Sequence, residues 1–257
     1  MILHFYKYQG TGNDFVMIDN RKELLDPEDH QLIAKLCDRR FGIGGDGLIL
    51  LEDHTNYDFQ MVYFNSDGRQ SSMCGNGGRC IVKFAYDLRV IGDTTSFIAI
   101  DGEHEACVKN GIVHLKMVDV KGLELIGNDR FLDTGSPHYI QFVDSIKDFP
   151  VVEEGRKIRY NDRFKKEGTN VNFVRKEGSS SLVVRTYERG VEDETWSCGT
   201  GVTASAIAAF PEGVDEPVKI KTLGGDLSVS FKKNDSLYYN VYLNGPAVQV
   251  YKGEIEI

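Results

Sequence analysis

The chain has 257 residues, of which 41% are hydrophobic and 27% charged, a composition typical of a folded globular protein rather than a disordered one. Its formal net charge of −9 disfavours nucleic acid and anionic membranes as partners, because both are bound by clustered Lys and Arg. No apolar run approaches the roughly 20 residues of a membrane span and no secretory signal is recognisable, so we expect a cytoplasmic protein.

Short β-rich runs predict a protein made mainly of strands. In chain order these runs cover 3–8, 15–19, 48–51, 59–64, 112–117, 139–143, 182–187, 218–223, 227–231 and 237–243. Asn65-Ser66-Asp67-Gly68 predicts a turn after the fourth run, and Gly224-Gly225 predicts a tight hairpin between the eighth and the ninth.

Three helices are predicted. The first begins at Asp26-Pro27, an N-cap followed by proline at the first helical position, and extends to about Arg40. The other two begin after Cys74 and after Cys198. Residues 42–47 fit G-x-G-x-x-G, the dinucleotide fingerprint, but they follow a helix and precede a strand, which is the reverse of a Rossmann turn.

Two segments with the pattern C-G-x-G are the most informative feature of the sequence. They are Met73-Cys74-Gly75-Asn76-Gly77 and Ser197-Cys198-Gly199-Thr200-Gly201. Each follows a β-rich run and a polar turn, and each opens a helix-like stretch of small and apolar residues. The two cysteines lie 124 positions apart, close to half the chain, which we interpret as an internal duplication.

The duplication predicts an α+β fold of two pseudo-symmetric domains, each a mostly antiparallel sheet or barrel around one central helix. We expect the first domain to cover 1–117 with Cys74 and to be completed by a C-terminal strand at 246–257. The second domain is expected to cover 118–245 with Cys198.

A cysteine directly before a Gly-rich helix start has a specific chemical meaning. The unpaired backbone N–H groups and the positive end of the helix dipole favour a thiolate and can bind an anion beside it. If two such helix starts face one cleft, they suit a small carboxylate held between two acid-base groups. One thiolate then removes an α-proton while the opposed thiol protonates the other face, which inverts the stereocentre.

The acidity of the substrate sets what such a site must supply. The α-carbon of an amino acid is less acidic than a thiol of pKa about 8.5 by on the order of a dozen units, or roughly 16 kcal/mol. Hydrogen-bond donors aimed at the enolate-like carboxylate contribute about 3 to 4 kcal/mol each, so several are needed in a dry site. The two Gly-rich helix starts are candidates for this cradle.

The remaining cysteines have no such setting. The five cysteines are an odd set without a C-x-x-C pair or zinc-finger spacing, so neither a disulfide framework nor a metal site is expected. We expect Cys37, Cys80 and Cys107 to be small apolar residues of the core.

Further motifs accompany the two C-G-x-G segments along essentially the whole chain. They are Gly10-Thr11-Gly12-Asn13-Asp14-Phe15, Phe64-Asn65-Ser66-Asp67-Gly68, Gly135-Ser136-Pro137-His138, Thr169-Asn170-Val171-Asn172 and Glu188-Arg189-Gly190. In this order they resemble the diaminopimelate epimerase family. The resemblance implies a pyridoxal-independent isomerase without a cofactor, which interconverts L,L- and meso-diaminopimelate in lysine and peptidoglycan precursor synthesis, and it implies a homodimer.

The resemblance also implies the site residues. It makes Cys74 and Cys198 the acid-base thiols, with His138 and Glu188 near them. It assigns the reacting carboxylate to the backbone of Gly75, Asn76, Gly199 and Thr200, and the distal amino-acid end to Asn13, Asn65, Asn170, Glu188 and Arg189. These residue types suit the distal end, because a guanidinium can bind a carboxylate through two hydrogen bonds and a carboxylate or amide oxygen can accept from an ammonium.

The chain departs from the family pattern at three places. Ser136 stands where many members have a substrate-binding asparagine, and Gly47 stands where some have a glutamine. The loop between Glu188 and Cys198 is one residue longer than the commonest form. These differences affect individual contacts and leave the reaction unchanged.

Two other functions fit parts of the same pattern. A proline or hydroxyproline racemase also uses opposed acid-base residues, but a proline ring needs an apolar pocket, whereas Glu188, Arg189 and the asparagines favour a charged distal end. The non-enzymatic alternative is a thiol-redox or amino-acid-binding protein in which Cys74 and Cys198 form a regulatory disulfide.

Overall fold

The computed structural model describes all 257 residues and divides into two compact units. Unit 1 comprises Met1–Leu115 and Gly245–Ile257, and unit 2 comprises Lys116–Asn244. Neither unit contains a helix with the length and apolar character needed to cross a bilayer.

Unit 1 contains nine strands and two helices. They are β1 (Ile2–Gly10), β2 (Asn13–Asp19), α1 (His30–Cys37), β3 (Gly47–Glu52), β4 (Phe59–Asn65), β5 (Gln70–Ser71), α2 (Gly75–Asp87), β6 (Thr94–Ala99), β7 (Gly102–Lys109), β8 (Ile112–Lys116) and, at the end of the chain, β19 (Val248–Glu256).

Unit 2 contains ten strands, two α-helices and a short 3-10 helix at Phe210–Glu212. The strands and α-helices are β9 (Val120–Lys121), β10 (Glu124–Ile126), β11 (Asp129–Asp133), β12 (Pro137–Phe142), α3 (Val151–Arg159), β13 (Asn170–Lys176), β14 (Ser181–Glu188), β15 (Asp193–Thr195), α4 (Gly199–Ala209), β16 (Val218–Thr222), β17 (Gly225–Asn234) and β18 (Leu237–Gly245).

The strand pairing of unit 1 recurs in unit 2. In unit 1, β1–β2 is antiparallel, β2–β3 parallel, β3–β4 and β4–β5 antiparallel, β4–β6 parallel, and β6–β7 and β7–β8 antiparallel. In unit 2 the pairs from β11–β12 to β17–β18 follow the same sequence of orientations. Helices α1 and α3 each connect a parallel pair, and α2 and α4 each follow the short strand of a hairpin. The predicted α+β fold with an internal repeat is therefore confirmed.

One central helix fills the interior of each unit. Ten of the thirteen residues of α2 and ten of the eleven residues of α4 are buried. Helix α2 packs against strands β1, β2, β3, β7 and β19, and α4 packs against β11 to β14, β16 and β17. On α2, Phe84 contacts the rings of Tyr6 and Tyr8, and full burial of one such side chain contributes roughly 1.5–3 kcal/mol.

The first helix is shorter than its sequence signals predict. It begins at His30, because the Asp29 carboxylate accepts a hydrogen bond from Leu32 N at 3.0 Å and is the N-cap. The predicted cap, Asp26, instead accepts from Glu28 N at 2.9 Å and closes a local turn. The helix ends at Cys37, because Asp38 has extended backbone, so the predicted extension to Arg40 is wrong.

Helix α3 and several strands were not predicted. Only Val151 and Gly155 are buried in α3, and with the partly buried Ile158 they form a narrow apolar face among charged residues. Gly155 permits close packing, since a Cβ there would lie 2.4 Å from the Cβ of Tyr187 on β14. Cys37 and Cys80 lie in the core as predicted, whereas Cys107 is only half-buried on β7.

Candidate active site

Cys74 stands at the start of the buried helix of unit 1. It is the N-cap of α2, with extended backbone, and its Sγ accepts a hydrogen bond from Gly77 N at 3.3 Å. A Cβ at Gly77 would lie 3.2 Å from this sulfur and 3.3 Å from Ile49 Cδ1. The glycine therefore allows the thiol to lie directly on the helix start, where N–H groups and the helix dipole favour negative charge.

Asn13 is brought to this helix start by a two-residue hairpin turn. Thr11 and Gly12 have φ of 51° and 87°, the left-handed conformation that a type I′ turn between β1 and β2 requires. Asn13 Oδ1 accepts from Asn76 Nδ2 at 3.3 Å, and Asn13 Nδ2 donates to Asp46 Oδ2 at 2.6 Å. Asp46 thereby orients the Asn13 amide, a role that the sequence did not reveal.

Asn65 ends β4, where it is exposed and pairs with Gly47 on β3. A Cβ at Gly47 would lie 2.4 Å from Phe64 O and 2.6 Å from Tyr63 Cε2. The backbone of β4 thus occupies the space that a side chain at position 47 would need, which accounts for glycine there. The predicted turn after Asn65 is present, with Gly68 N donating to Asn65 O at 2.9 Å.

Asp14, next to Asn13, is the centre of a charged cluster. Lys7 Nζ lies 2.7 Å from Asp14 Oδ2, and Arg39 donates two hydrogen bonds to the same carboxylate at 2.6 and 3.0 Å. Burial would raise the pKa of Asp14, but the hydrogen bonds from Arg39 and Lys7 outweigh it and lower the pKa to about 2. Because Lys7 is buried, this carboxylate is its counter-ion.

Asp14→Asn is expected to destabilise the protein by on the order of 2 kcal/mol at neutral pH. The pKa of Asp14 is lower in the folded state, about 2, than in the unfolded chain. The stabilisation is therefore complete above about pH 4 and is lost as the pH falls through the folded-state pKa. Urea unfolding of both proteins over this range should show the difference shrinking with acidification.

Asp19→Asn is the matched control for this measurement, since it breaks a more exposed pair with Arg21. We expect it to cost less than about 1 kcal/mol. A difference between wild type and Asp14→Asn that stayed constant down to the lowest pH would contradict the assigned pKa.

Cys198 stands at the equivalent place in unit 2. It is the N-cap of α4, has extended backbone, and is 8% exposed. Its Sγ lies 3.5 Å from Thr200 Oγ1, and Thr200 O accepts from Thr134 Oγ1 at 3.0 Å. Both C-G-x-G segments therefore place a sulfur at the first turn of a buried helix, as the sequence predicted for each of them separately.

His138 is fully buried, and it contacts Asn172, whose amide packs against Gly201 in the helix that follows Cys198. The His138 Nδ1 lies 3.0 Å from Asn172 Nδ2, whose amide also donates to Tyr139 O at 3.2 Å, so Nδ1 is the acceptor. Burial, with a contribution from Arg189, lowers the pKa of His138 to about 3. The imidazole is therefore neutral at pH 7, carries its proton on Nε2, and does not act as a cation beside the thiol.

Asn172 was missed as a site residue, although it lies in one of the quoted motifs. Its Oδ1 accepts from Thr186 Oγ1 at 2.9 Å, and a Cβ at Gly201 would lie only 2.4 Å from this oxygen. The third residue of α4 thus packs directly on the Asn172 amide. The partners of Asn172 lie on other strands, His138 and Tyr139 on β12 and Thr186 on β14, so no local sequence signal marked it.

Asn170, Ser136 and Arg189 form a second cluster in unit 2. Asn170 Nδ2 donates to Ser136 Oγ at 2.9 Å, and Asn170 Oδ1 accepts from the backbone N–H of Arg189 at 2.9 Å. Ser136 therefore orients the Asn170 amide in this chain. The Arg189 side chain is exposed and donates to Glu167 O at 2.9 Å.

Glu188 ends β14 directly before Arg189 and is half-buried. Its Oε2 accepts from Thr195 Oγ1 at 3.0 Å across the β14–β15 hairpin. The longer loop that joins these strands includes Glu192 with φ of 59°. Glu192 Oε1 accepts from Gly190 N at 3.1 Å, and Glu192 Oε2 accepts from the phenolic Oη of Tyr187 at 2.9 Å.

Comparison with known proteins gives a consistent result. The family model described as diaminopimelate epimerase matches residues 5–119 and 130–250. A diaminopimelate epimerase of Flavobacterium psychrophilum is 52% identical over 256 residues, which cover 98% of this chain and 100% of that protein. One of Aquifex aeolicus is 39% identical over 277 residues and covers 98% of both chains.

A solved structure shares the fold at much lower sequence similarity. The hydroxyproline epimerase from Agrobacterium vitis, solved with bound trans-4-hydroxy-L-proline, matches with a TM-score of 0.69 at 13% identity. The match covers 99% of this chain and 92% of that one.

Proposed function

The chain belongs to the diaminopimelate epimerase family, and on this premise we propose that it interconverts L,L- and meso-diaminopimelate by proton transfer at the α-carbon. One observation carries the mechanism. Each unit has a cysteine as the N-cap of its Gly-rich central helix, at equivalent places in a repeated topology. A two-base inversion needs one acid-base group on each face of the α-carbon, and the repeat supplies two such groups.

In the proposed reaction Cys74 and Cys198 serve opposite faces of one α-carbon. The thiolate takes the α-proton, so a C–H bond breaks and an S–H bond forms. The other thiol then gives its proton to the opposite face, where a new C–H bond forms and a thiolate remains. No net oxidation occurs, and the two sulfurs have exchanged their protonation states.

The reacting carboxylate gains charge when the α-proton leaves, and it needs fixed donors. The backbone N–H groups of Gly75, Asn76, Gly199 and Thr200 belong to the first turns of α2 and α4, which have no acceptor within their own helix. We assign the carboxylate to these groups. Each well-aimed donor contributes about 3 to 4 kcal/mol to the transition state.

His138 and Glu188 are proposed to support the chemistry without being the bases. A neutral His138 has an Nε2–H donor to offer and, through Asn172, is coupled to the packing of Gly201 on α4. Glu188 is fixed by Thr195 and offers carboxylate oxygens to an ammonium group. Their proposed roles are to position the thiol and the substrate.

The distal amino-acid end is assigned to Asn13, Asn65, Asn170, Glu188 and Arg189. The guanidinium of Arg189 has five N–H donors, and its bond to Glu167 O leaves others for a carboxylate. Asn13 and Asn170 have amides oriented by Asp46 and by Ser136, respectively. Charged and amide groups of this kind suit a second amino-acid end better than the ring of proline.

A cytoplasmic homodimer is part of the proposal. All five cysteines are outside disulfides, which supports a reducing compartment. The dimer rests on family resemblance, and light scattering coupled to gel filtration measures it directly.

Incubation with L,L-diaminopimelate in deuterated water tests the activity. We expect the meso isomer to form with one deuterium at the inverted α-carbon, because the incoming proton derives from a solvent-exchanged thiol. L-proline and 4-hydroxy-L-proline are tested in parallel. Inversion of either, without turnover of diaminopimelate, would favour the racemase alternative, and absence of exchange with all three would favour the redox or binding alternative.

A further inference from the structure

Arg79 is the largest side chain that is completely buried in the protein. It lies on α2, and its guanidinium has four acceptors, all of them neutral. They are Gly75 O at 3.0 Å, Thr11 Oγ1 at 3.0 Å, Asn76 Oδ1 at 3.1 Å and Pro246 O at 3.4 Å.

No carboxylate forms an ion pair with this buried charge. The adjacent Cys80 is no counter-ion either, because burial raises the pKa of its thiol to about 12 and keeps it neutral at pH 7. Burial lowers the pKa of Arg79 to about 10, so the guanidinium remains charged. Burial of a charge without a counter-ion is unfavourable, so a negative charge close to the guanidinium is stabilised.

Cys74 is the group able to supply that anion. It caps the same helix, and the Arg79 guanidinium donates to Gly75 O at 3.0 Å and to Asn76 Oδ1 at 3.1 Å, on the two residues that directly follow the cysteine. A neighbouring opposite charge typically shifts an ionisation equilibrium by one to three powers of ten. The helix dipole acts in the same direction, so the two effects add at one sulfur.

The guanidinium also determines the shape of the proposed carboxylate cradle. One nitrogen holds Gly75 O, and another holds both Asn76 Oδ1 and Thr11 Oγ1. With its oxygen committed to Arg79, the Asn76 amide directs Nδ2 to Asn13 Oδ1. The same contact stabilises Thr11 in its left-handed conformation, so one side chain joins the α2 start to the hairpin that carries Asn13.

We propose that Arg79 is a positioning residue with two separable effects: its charge favours the thiolate form of Cys74, and its planar fork holds the Gly75–Asn76 turn ready for the substrate carboxylate. The second effect rests on the proposed function. The first is a property of the protein alone and does not depend on which substrate it turns over.

The charge effect is tested by alkylation of Cys74 with iodoacetamide as a function of pH. The measurement uses Cys198→Ala protein, and mass spectrometry of the Cys74 peptide separates this thiol from the others. The alkylation rate rises with pH as the thiol ionises, and the midpoint of this rise is compared between variants. Relative to that parent, Arg79→Met is expected to shift this alkylation midpoint upward by about one pH unit, which slows alkylation at neutral pH roughly tenfold. Arg79→Lys retains a charge and is expected to keep the midpoint close to the parent value.

The fork effect is tested by turnover in protein with both cysteines present. The three N–H donors of an ammonium cannot reproduce the four hydrogen bonds of the planar guanidinium, so Arg79→Lys is expected to lower kcat by about tenfold or more with a smaller change in KM. The two variants thus separate charge from geometry. A residue important only for folding would lower Tm in both without moving the alkylation midpoint.

Lys83→Met is the matched control, because it removes a more exposed positive charge from the same helix. It should leave the alkylation midpoint unchanged. An unchanged midpoint in folded Arg79→Met would overturn the charge effect, and full kcat in Arg79→Lys would overturn the fork effect. If Arg79→Met does not fold, Arg79→Gln, which keeps hydrogen-bond donors but has no charge, tests the charge effect by the same shift of the alkylation midpoint. Because alkylation needs no turnover, an inactive wild type would refute the proposed function and leave this test intact.

Discussion

Cys198→Ala and Cys74→Ala are each expected to lower the rate of inversion by at least about 10³-fold while the protein stays folded. Each sulfur is a proton donor or acceptor that alanine cannot replace, and each lies at a helix start where removal of one atom leaves the backbone in place. The rate is followed as formation of meso-diaminopimelate from the L,L isomer, with circular dichroism as the check on folding.

Isotope exchange distinguishes two bases from one. If the thiols serve opposite faces, a variant with a single cysteine can exchange the α-proton of one isomer slowly and with retention, but cannot invert it. The two variants should differ in which isomer they exchange. Inversion near the wild-type rate in either variant would contradict the two-thiol mechanism.

Cys107→Ala is the matched control for both variants. This half-buried thiol lies on β7, outside both Gly-rich helix starts. We expect it to retain full activity, which would show that loss of a cysteine as such is harmless.

Gly201→Ala is expected to destabilise the protein by on the order of 1–3 kcal/mol, although Gly→Ala within a helix normally stabilises. The added Cβ would lie 2.4 Å from Asn172 Oδ1 and 3.3 Å from Cys198 Cβ. Asn172 cannot yield freely, because it also binds His138 and Thr186. The helix start must shift, and displacement of Cys198 by about 1 Å is expected to reduce kcat roughly 10²-fold.

Urea unfolding and steady-state kinetics measure these two effects. Gly92→Ala is the control, since nothing lies within 4 Å of its Cβ position, and it should change stability by less than about 0.5 kcal/mol. Asn172→Ala combined with Gly201→Ala should cost less than the sum of the single changes, because the first removes the clash of the second. Strict additivity would show that Asn172 is not the obstacle.

Most strands, two of the helices and the internal repeat could be predicted from the sequence, because they depend on local residue patterns. Each of the ten β-rich runs coincides with a strand, although the runs 112–117, 139–143 and 218–223 extend one residue beyond it, because alternation and turn residues such as Asn65–Gly68 act over a few neighbours. The helices after Cys74 and Cys198 were recognisable for the same reason. Two copies of C-G-x-G in one chain indicated a repeat, and the ordered motifs indicated the family.

Local signals did not fix every element boundary. Asp26-Pro27 predicts the start of the first helix, whereas in the structure the Asp29 carboxylate accepts from Leu32 N and is the N-cap. Helix α3 was not predicted because its apolar face, formed by Val151, Gly155 and Ile158, is narrow and lies among charged residues. Short strands such as β5 and β15 exist because a partner strand is present, which is not visible in two or three residues.

Tertiary structure alone decided the electrostatic properties of the candidate site. The burial of Arg79 without a carboxylate, the neutral state of His138 and the low pKa of Asp14 all depend on which groups the fold brings around each charge. The close approach of Phe64 O to Gly47 and of the Asn172 amide to Gly201 likewise comes from residues that folding brings next to each glycine. Sequence patterns record which residues are present along the chain, whereas desolvation and hydrogen bonding are set by neighbours that folding supplies.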